Sequence, residues 1–257
     1  KAIDKKIREK AKTCKTVFVR LDFSPLLSES QNKDAESVFT KTSKMSGYGS
    51  YYQPRNEWYT DINKSENDIL MTMHEKTRYS VRLAEKKGVK TKIISGRDLM
   101  SQIDNFILIL KKTGNRNNFA IHDDDYYRYF FEEIAKRGNG FLVEASFNEK
   151  VLAMHFVVLE GEVAHYVFGG SSDEMKHLCA PYLAHFRGML ESKIRGANFY
   201  NFGGVSENGS KQEWQGITLF KKKFGGQTFS HSPYFDIIIK PFLYHIYNFR
   251  KFIKTLL

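Results

Sequence analysis

The sequence predicts a mixed α/β protein, built on a sheet that contains both antiparallel and parallel strands. Three strand patterns follow one another closely, over 141–147, 151–160 and 162–170, and the breaks between them are short enough for hairpins. A helical pattern over 181–195 and a further strand pattern over 197–204 come next. A meander followed by a crossover helix and strand indicates a mixed sheet rather than a doubly wound parallel one.

The first quarter of the chain alternates between helix and strand patterns. Residues 1–13 form a basic helical pattern, and VFVRLDFSP (17–25) is typical of a buried strand. Residues 51–62 form a second strand pattern, rich in aromatic side chains and interrupted by Pro54. A strand that contains proline fits best at a sheet edge or a bulge.

One long helix is predicted next, from Ser65 to Lys87. Ser65 is a good N-cap residue, and Gly88 follows the last helical residue, where glycine is favoured. The remaining elements before the meander are a strand over 89–94 and helices over 97–112 and 123–136.

Charge is the most informative bulk property of the chain. The sequence contains 40 Lys and Arg residues against 29 Asp and Glu residues, a formal net charge of +11 at pH 7. Such a field favours polyanionic partners, which include nucleic acid, an anionic membrane face and a phosphorylated substrate. Composition alone does not choose among the three.

Cysteine content and hydropathy exclude other classes of protein. The two cysteines are too few and too far apart for a disulfide framework or a zinc site, so we expect a reducing compartment. No apolar run approaches the length that crosses a bilayer, and no secretory leader opens the chain. The chain begins within a helical pattern and without methionine, so we expect it to be part of a longer protein.

The segment WQGITLFKKKFGG (214–226) concentrates aromatic and basic side chains. Phe220 and Phe224 are four residues apart, so we expect them to share a buried side while Lys221, Lys222 and Lys223 face outward. The two glycines at its end allow a sharp turn or a close approach to a ligand. Taken alone, the segment is typical of a solvated basic turn anchored by two core phenylalanines.

The C-terminal segment, 237–257, contains no acidic residue and has apolar residues at helical spacing. The basic residues Arg250, Lys251 and Lys254 lie between the apolar ones. This pattern predicts an amphipathic helix that docks on the body of the protein, and it is also compatible with a helix lying on an anionic membrane.

Standard catalytic motifs are absent from the sequence: it contains no G-x-S-x-G, Walker, H-E-x-x-H or Rossmann pattern. His155, His165 and His185 lie in strand or helix patterns and are interpreted as structural histidines. The run Asp123-Asp124-Asp125 opens a predicted helix, so we interpret it as a complement to the helix dipole and predict no metal site.

The order of elements resembles the GCN5-related acyltransferase fold, which holds acetyl-CoA pyrophosphate on a glycine-rich turn before a helix. The corresponding segment here is GGSSDEMKHLCAPYL (169–183), which has no glycine after Gly170 and has Pro181 at the helix entry. A pyrophosphate cradle needs several free backbone N–H groups at a helix N-terminus. This departure argues against acyl-CoA, and no cofactor is predicted.

Several separated motifs together resemble the Fem-type (FemABX) peptidoglycan aminoacyltransferases. They are FVRLDFSP, MHEKTRYSVRLAEKKGV, TGNRNNFAIHDDDYY, YVFGGSS with APYL, YNFGGV and GITLFKKKFGG, and they cover most of 17–230 in the family's order. The resemblance implies two acyltransferase-like domains: an incomplete first one formed by 1–61 and 233–257, and a second one formed by 62–232. The helical hairpin arm of some family members is not expected here.

The resemblance also implies a reaction. An aminoacyl-tRNA, used as co-substrate, donates its amino acid to an amino group on the stem peptide of a peptidoglycan precursor, either lipid II or UDP-MurNAc-pentapeptide. The expected location is the cytoplasm, with a peripheral contact at the inner membrane face. The net charge of +11 then has two targets, the tRNA phosphates and the pyrophosphate of the precursor.

The family's Phe-Lys pair falls on Phe220 and Lys221. The resemblance implies that Lys221 stabilises the oxyanion, and that Phe220 is a wall that orients the terminal nucleotide. Asp22 matches an acidic position considered for proton removal, for which it must lie within hydrogen-bond reach of the amine.

The precursor site is expected to involve five residues. The family's basic residue and tyrosine, four apart, fall on His122 and Tyr126, with histidine where the family has arginine, and Arg116 lies nearby in sequence. Tyr166 and Phe168 are expected to be ring platforms for the nucleotide or the sugar.

Two other functions remain open at the level of sequence. One is an acyltransferase of the same fold with another donor or acceptor, such as acyl-CoA or a protein. The other is a non-catalytic module that binds tRNA or a membrane surface through its basic charge.

Overall fold

The structure is a computed structural model that describes residues 2–21, 40–41, 54–206, 215–231 and 235–256. The chain divides into two compact units, Lys1–Glu57 with Phe229–Leu257, and Trp58–Thr228. No helix among the described residues is both long enough and apolar enough to span a membrane.

The described strands, in chain order, are β1 (Phe18–Leu21), β2 (Thr40–Lys41), β3 (Asn56–Asp61), β4 (Lys90–Ser95), β5 (Gly140–Phe147), β6 (Lys150–Glu160), β7 (Val163–Ser171), β8 (Phe199–Gly204), β9 (Gln227–Ser230) and β10 (Phe235–Ile238). The described α-helices are α1 (Ala2–Thr13), α2 (Glu66–Thr72), α3 (Glu75–Lys86), α4 (Ile103–Asn117), α5 (Asp124–Arg137), α6 (Ala180–Ile194), α7 (Gln215–Lys222) and α8 (Pro241–Leu256). Short 3₁₀ helices cover Gly96–Gln102 and Lys176–Leu178.

The larger sheet is mixed, as the sequence predicts. Its strand order is β4-β5-β6-β7-β8-β3-β9, and β4 to β7 form an antiparallel meander. Helix α6 then crosses over, and β8 pairs parallel with β7. That pairing runs from Val163 opposite Phe199 to His165 opposite Asn201, although β7 continues to Ser171 and β8 to Gly204. The two strands therefore diverge at their carboxyl ends.

Each face of this sheet carries its own hydrophobic core. Strand β5 shows the alternation, because Phe141 and Val143 enter one core while Leu142 enters the other. The first core is covered by α2, α3 and α6, and the second by α4 and α5. Side chains of a strand point alternately to the two faces, so a strand that is apolar throughout serves both cores.

The prediction of one helix from Ser65 to Lys87 was wrong, because the structure has two helices, α2 and α3. Ser65 does cap α2, accepting a hydrogen bond from the Asp68 amide at 3.1 Å. The chain is extended at Met73 (ψ 153°), and the His74 amide donates to the Lys223 carbonyl at 2.9 Å. A continuous helix would turn this amide inward, so a tertiary hydrogen bond overrides the local helical pattern.

The helix predicted over 97–112 begins instead as the 3₁₀ turn Gly96–Gln102 and continues as α4 to Asn117. At the next helix, Asp123 is the N-cap of α5 and accepts from the Tyr126 amide at 2.7 Å. This bond confirms the interpretation of the aspartate run as a helix start. All residues between Lys90 and Tyr126 are described, and they form no helical hairpin arm.

The smaller unit contains a three-stranded antiparallel sheet of order β1-β10-β2. Strand β1 confirms the strand predicted near residue 18, and α8 confirms the C-terminal helix from Pro241 onward, whereas Ile237 and Ile238 belong to β10. Arg20 of β1 forms a two-pronged ion pair with Asp236 of β10, with Nε–Oδ1 and Nη2–Oδ2 both 2.8 Å. Tyr244 of α8 donates from its hydroxyl to the same carboxylate at 2.7 Å, which ties the helix to the sheet.

Candidate active site

Three elements of the larger unit converge where β7 and β8 diverge. Gly203 of β8 has a positive φ of 75°. A Cβ at this position would lie 3.8 Å from Nζ of Lys221, on α7, and 3.8 Å from the carbonyl oxygen of Tyr166, on β7. Divergence of two parallel strands at their carboxyl ends opens a cleft, and ligands of open α/β sheets bind in such clefts. We take this cleft as the candidate active site.

The prediction that all three lysines of the KKK run face outward was wrong for Lys221. Lys221 is only 9% exposed, and its Nζ donates to the Gly204 carbonyl at 2.7 Å, whereas Lys222 and Lys223 are exposed. Helix α7 explains the difference, because Thr218, Lys221 and the following Phe224 are buried at a spacing of three residues. In a helix this spacing lies on one side, so only one lysine of the run faces the protein.

The end of α7 is fixed by aromatic packing. Phe224 is fully buried and packs on Phe202 of β8 with ring centroids 5.0 Å apart. Phe220 is half-buried and packs on Phe224 at 5.2 Å and on Tyr182 of α6 at 5.2 Å. The expectation of a shared phenylalanine side is confirmed, and Phe220 lies next to the buried Lys221.

The glycine pair after α7 serves a backbone turn. Gly225 and Gly226 have φ of 78° and 112°. The Gly225 carbonyl accepts from Trp58 Nε1 and from Thr60 Oγ1, both at 2.7 Å. A Cβ on Gly225 would come within 2.6 Å of the Thr72 carbonyl oxygen. Only glycine adopts this backbone conformation in so little space.

Gly225→Ala is therefore expected to lower the free energy of unfolding by about 1–3 kcal/mol, because alanine is strained at positive φ and meets the Thr72 carbonyl. The control is Gly216→Ala in the first turn of α7, where an added Cβ has no neighbour within 4 Å. Urea unfolding measures both variants. Equal stability of the two would contradict the structural role of Gly225.

A buried pair of histidines lies behind α7. His155 of β6 and His185 of α6 have ring centroids 3.9 Å apart, and His185 is 5.6 Å from the Phe220 ring. Tyr166 packs on both histidines, at 5.1 and 4.7 Å. Burial lowers the pKa of His155 to about 3. Burial, followed by the nearby His155 and the charge of Lys221, holds the pKa of His185 well below its usual value, so both rings are neutral at pH 7.

The interpretation of the three histidines as structural is supported by these contacts. His185 Nδ1 lies 3.4 Å from the Tyr200 hydroxyl, and His165 Nδ1 accepts from the Asn201 amide at 3.1 Å. His155 is the exception, because its Nδ1 is buried and has no hydrogen-bond partner among the described residues.

The folded protein should lose stability in acid because of His155. Its folded pKa of about 3 lies below the usual unfolded value of about 6.5, so between these values the unfolded chain binds a proton that the folded chain does not. The free energy of unfolding should fall by about 1.4 kcal/mol per pH unit from this group as pH drops below about 6. His155→Phe should flatten this slope in urea titrations, whereas a variant of the exposed His177, His177→Asn, should not.

The structure brings together three residues predicted for the precursor site. The rings of His122 and Tyr126 stack at 4.0 Å with an interplanar angle of 23°. Phe168 meets them edge-on, at 6.2 Å from His122 and 6.1 Å from Tyr126. Tyr126 remains 42% exposed, so this aromatic group presents a ring surface to solvent.

Tyr166 and Phe168, which the sequence predicts to be ring platforms, pack against different cores. Phe168 pairs with Phe156 and Tyr166 with Val157, so Val167 is an extra residue in β7. A bulge of this kind reverses the alternation of side chains along the strand. Tyr166 accordingly packs against the core of α6, and Phe168 against the core of α4 and α5.

Arg116 binds the protein itself in the structure. Its guanidinium donates to the Ser171 carbonyl at 2.8 Å and to the Ser171 hydroxyl at 3.2 Å, and it forms an ion pair with Asp173 at 3.3 Å. These contacts tie the end of α4 to the connection between β7 and α6. Asp22, the predicted candidate base, lies outside the described residues.

Backbone amides at the end of β7 and in the connection to α6 donate hydrogen bonds to other groups of the protein. Ser171 donates to Thr113 Oγ1 at 3.0 Å, Ser172 to the Leu152 carbonyl at 2.8 Å, and Leu178 and Cys179 to carbonyls within the turn. An anion cradle at this point would need such amides to be free. Among the described residues, no group of three His, Cys, Asp or Glu side chains could hold a metal ion.

Comparison with known proteins identifies the family. The family model described as the FemAB family matches residues 39–151 and 140–251, which together cover most of the chain. The chain belongs to the FemAB family. Its likeness in fold to the crystal structure of FemX is close, with a TM-score of 0.85 at 18% sequence identity over 96% of this chain and 78% of FemX.

Two relatives illustrate the sequence likeness of this FemAB chain. A lipid II:glycine glycyltransferase of Staphylococcus haemolyticus (strain JCSC1435) is 22% identical over 261 residues, covering 76% of this chain and 61% of the relative. One of Staphylococcus aureus (strain COL) is 21% identical over 310 residues, covering 93% and 73%. The chain thus spans about 61% of the length of the first of these relatives.

A more distant fold likeness is to the C-terminal domain of a putative lysylphosphatidylglycerol synthetase from Agrobacterium fabrum, with a TM-score of 0.53 at 12% identity. At 18% and 12% identity, the likeness to FemX and to this domain shows only the fold of the FemAB chain.

Sequence reasoning missed two parts of the site. Gly203 has a signal in the sequence, the YNFGG pattern at the end of a strand, where a positive φ is common for glycine. The pairing of His155 with His185 has none, because it joins a strand to a helix 30 positions later through tertiary packing.

Proposed function

We propose that this FemAB protein transfers an amino acid from aminoacyl-tRNA to an amino group on the stem peptide of a lipid-linked peptidoglycan precursor of the lipid II class. The observation that carries the proposal is the buried ammonium group of Lys221 at the divergence of β7 and β8. The names of the relatives, lipid II:glycine glycyltransferase, support the acceptor and the reaction class.

The chemistry requires charge stabilisation at one point. The acceptor amine attacks the ester carbonyl of the donor, a C–N bond forms, and the carbonyl oxygen becomes an oxyanion. Collapse of this intermediate breaks the ester C–O bond and releases the ribose oxygen of the tRNA. The proton that the amine loses balances the one that the ribose oxygen gains.

Lys221 is the residue that we propose to stabilise that oxyanion. Its bond to the Gly204 carbonyl fixes the ammonium group before substrate binds, so little reorganisation is needed during the reaction. Low exposure reduces screening by water, which strengthens its interaction with a developing negative charge. Phe220, partly exposed beside it, offers a ring on which the terminal base stacks.

The aromatic group of His122, Tyr126 and Phe168 is proposed to contact the sugar or the pyrophosphate of the precursor. Tyr126 offers an exposed ring face, and the stacked His122 lies exposed beside it. Arg116 stabilises the neighbouring end of β7 through its hydrogen bond to the Ser171 carbonyl and its ion pair with Asp173.

An acyl-CoA donor is disfavoured by the same geometry. The amides of Ser171, Ser172, Leu178 and Cys179 donate within the protein, so the β7–α6 connection offers few free N–H groups to a pyrophosphate. We propose that the reaction needs no bound cofactor and that aminoacyl-tRNA is a co-substrate.

A lipid-linked acceptor places the reaction at the inner face of the membrane. Helix α8 supports such a contact, because Phe242 and Phe249 are 76% and 64% exposed and Arg250 is exposed among them. Apolar rings next to basic side chains favour an anionic membrane surface.

The test is transfer of radiolabelled amino acid from a bulk charged-tRNA pool to lipid II and, separately, to UDP-MurNAc-pentapeptide. RNase-sensitive label on lipid II is the expected result. Label on the UDP-linked precursor alone would correct the acceptor. Failure to label either precursor, with tRNA binding intact, would overturn the proposed reaction.

A further inference from the structure

The exposed side of α3 is strongly basic. Lys76, Tyr79, Arg82 and Lys86 are spaced three or four residues apart, so they share one side of the helix. All four are exposed, and Tyr79 is 66% exposed. The opposite side, with Val81 and Ala84 fully buried, faces the core.

The cations on this side of α3 differ from those on α4 and α5. On those helices Lys111 pairs with Asp124 at 2.7 Å, Arg128 with Asp104 at 2.6 Å, and Lys136 with Glu132 at 2.9 Å. Within the described part of the chain, Lys76, Arg82 and Lys86 have no acidic side chain within ion-pair distance. These three cations are therefore not held in an ion pair by any described residue and remain available to a partner.

The N-terminus of α3 is joined to the residue that follows α7, the helix that carries Lys221. The His74 amide, at the N-terminus of α3, donates to the Lys223 carbonyl at 2.9 Å. Lys222 and Lys223 are exposed and directly follow Lys221. Together Lys222, Lys223, Lys76, Tyr79, Arg82 and Lys86 form what we call the basic strip. Helix α3 has 12 residues, so the strip extends about 18 Å away from the end of α7.

We propose that the basic strip binds the phosphate backbone of the donor RNA next to its aminoacylated end. The inference rests on the proposed function, which places the ester of the donor at Lys221. RNA that leads to this point must leave the cleft over a neighbouring surface, and the strip is a neighbouring surface on which Lys76, Arg82 and Lys86 form no ion pair with another described residue. Lysine and arginine bind phosphates, and the exposed ring of Tyr79 is a stacking surface for an unpaired base.

RNA fits the strip better than a membrane surface does. A helix that lies on a membrane buries a broad apolar face among the lipids. The apolar side of α3 already lies in the core, and its exposed side offers a single aromatic ring, Tyr79.

The test uses the triple variant Lys76→Ala/Arg82→Ala/Lys86→Ala. Its matched control is Lys111→Ala/Arg128→Ala/Lys136→Ala, which changes net charge equally on α4 and α5. Affinity for uncharged tRNA is measured by filter binding over a series of salt concentrations. Each lost phosphate contact should reduce the slope of log K against log salt by about 0.7–0.9. We expect the slope of the strip variant to be smaller by about two to three, one step for each lost contact, and its affinity for tRNA to be at least tenfold lower. The control variant should retain the wild-type slope and affinity.

Transfer assays separate this inference from the proposed function. With full-length aminoacyl-tRNA the strip variant should show a raised KM and an unchanged kcat. With a short aminoacyl oligonucleotide that lacks the stem, the variant and the wild type should be equal. The inference would be overturned by an equal loss of tRNA affinity in both triple variants, or by wild-type affinity and slope in the strip variant. In either case, amino acid transfer by the wild-type protein would leave the proposed function intact.

Two further outcomes are informative. If the strip variant no longer bound vesicles that contain anionic phospholipid but bound tRNA with unchanged affinity, the strip would be assigned to a membrane surface and the inference would be overturned. Strip-dependent tRNA binding by a wild-type protein that transfers no amino acid would support the strip and overturn the proposed reaction.

Discussion

Lys221→Met is expected to lower the turnover of aminoacyl transfer by about 10²–10³, which is the effect of removing one preorganised oxyanion contact. Methionine has a similar length and no charge, so it occupies the buried position beside Gly204 without providing a cation. The measurement is the single-turnover rate at saturating donor and acceptor. Because the lost contact forms with the transition state, the rate should fall while affinity for tRNA changes little.

The control is Lys222→Met, on the exposed neighbour in the same run. It should retain turnover within a few fold, and its effect should appear in tRNA affinity. Thermal unfolding of both variants shows whether the change at the buried position disturbs the fold. Transfer by a folded Lys221→Met protein at the wild-type rate would remove Lys221 from the mechanism.

Arg20→Ala is expected to destabilise the smaller unit by about 3–5 kcal/mol, because it leaves the Asp236 carboxylate buried without its cation. The side chains of Arg20 and Asp236 are 8% and 0% exposed, so water does not replace the lost partner. The measurement is hydrogen exchange of the amides in β1 and β10, which reports this unit directly.

Two matched variants test the cause. Arg250→Ala removes an exposed arginine from α8 and should change stability by less than about 0.5 kcal/mol. Tyr244→Phe removes the hydroxyl that donates to Asp236 and should cost about 1–2 kcal/mol. Unchanged exchange in Arg20→Ala would show that the ion pair does not hold β1 to β10.

Local patterns in the sequence were sufficient for most elements of the larger unit. The meander over β5 to β7 and the crossover to β8 were predicted correctly, because alternating apolar residues and short breaks specify hairpins without help from distant residues. The helix starts at Ser65 and Asp123 were predicted for the same reason, since a cap acts within one turn. The family was also determined by sequence, through motifs spread along the chain.

The geometry of the candidate site depended on the tertiary structure. The sequence shows three equivalent lysines, and only the packing of α7 against β8 decides that Lys221 is buried. The bulge at Val167 places Tyr166 and Phe168 on opposite faces, and it depends on the pairing of β7 with β6.

Sequence by itself determined the meander with its crossover helix and strand, the helix starts at Ser65 and Asp123, and the family to which the chain belongs. The tertiary structure alone decided which lysine enters the cleft, where the helix after Ser65 breaks, and which histidines meet behind α7. The physical reason is the separation along the sequence of the residues that interact. Periodicity and capping depend on residues within a few positions of one another, whereas burial, bulges and contacts between β6 and α6 depend on residues that only the folded chain brings together.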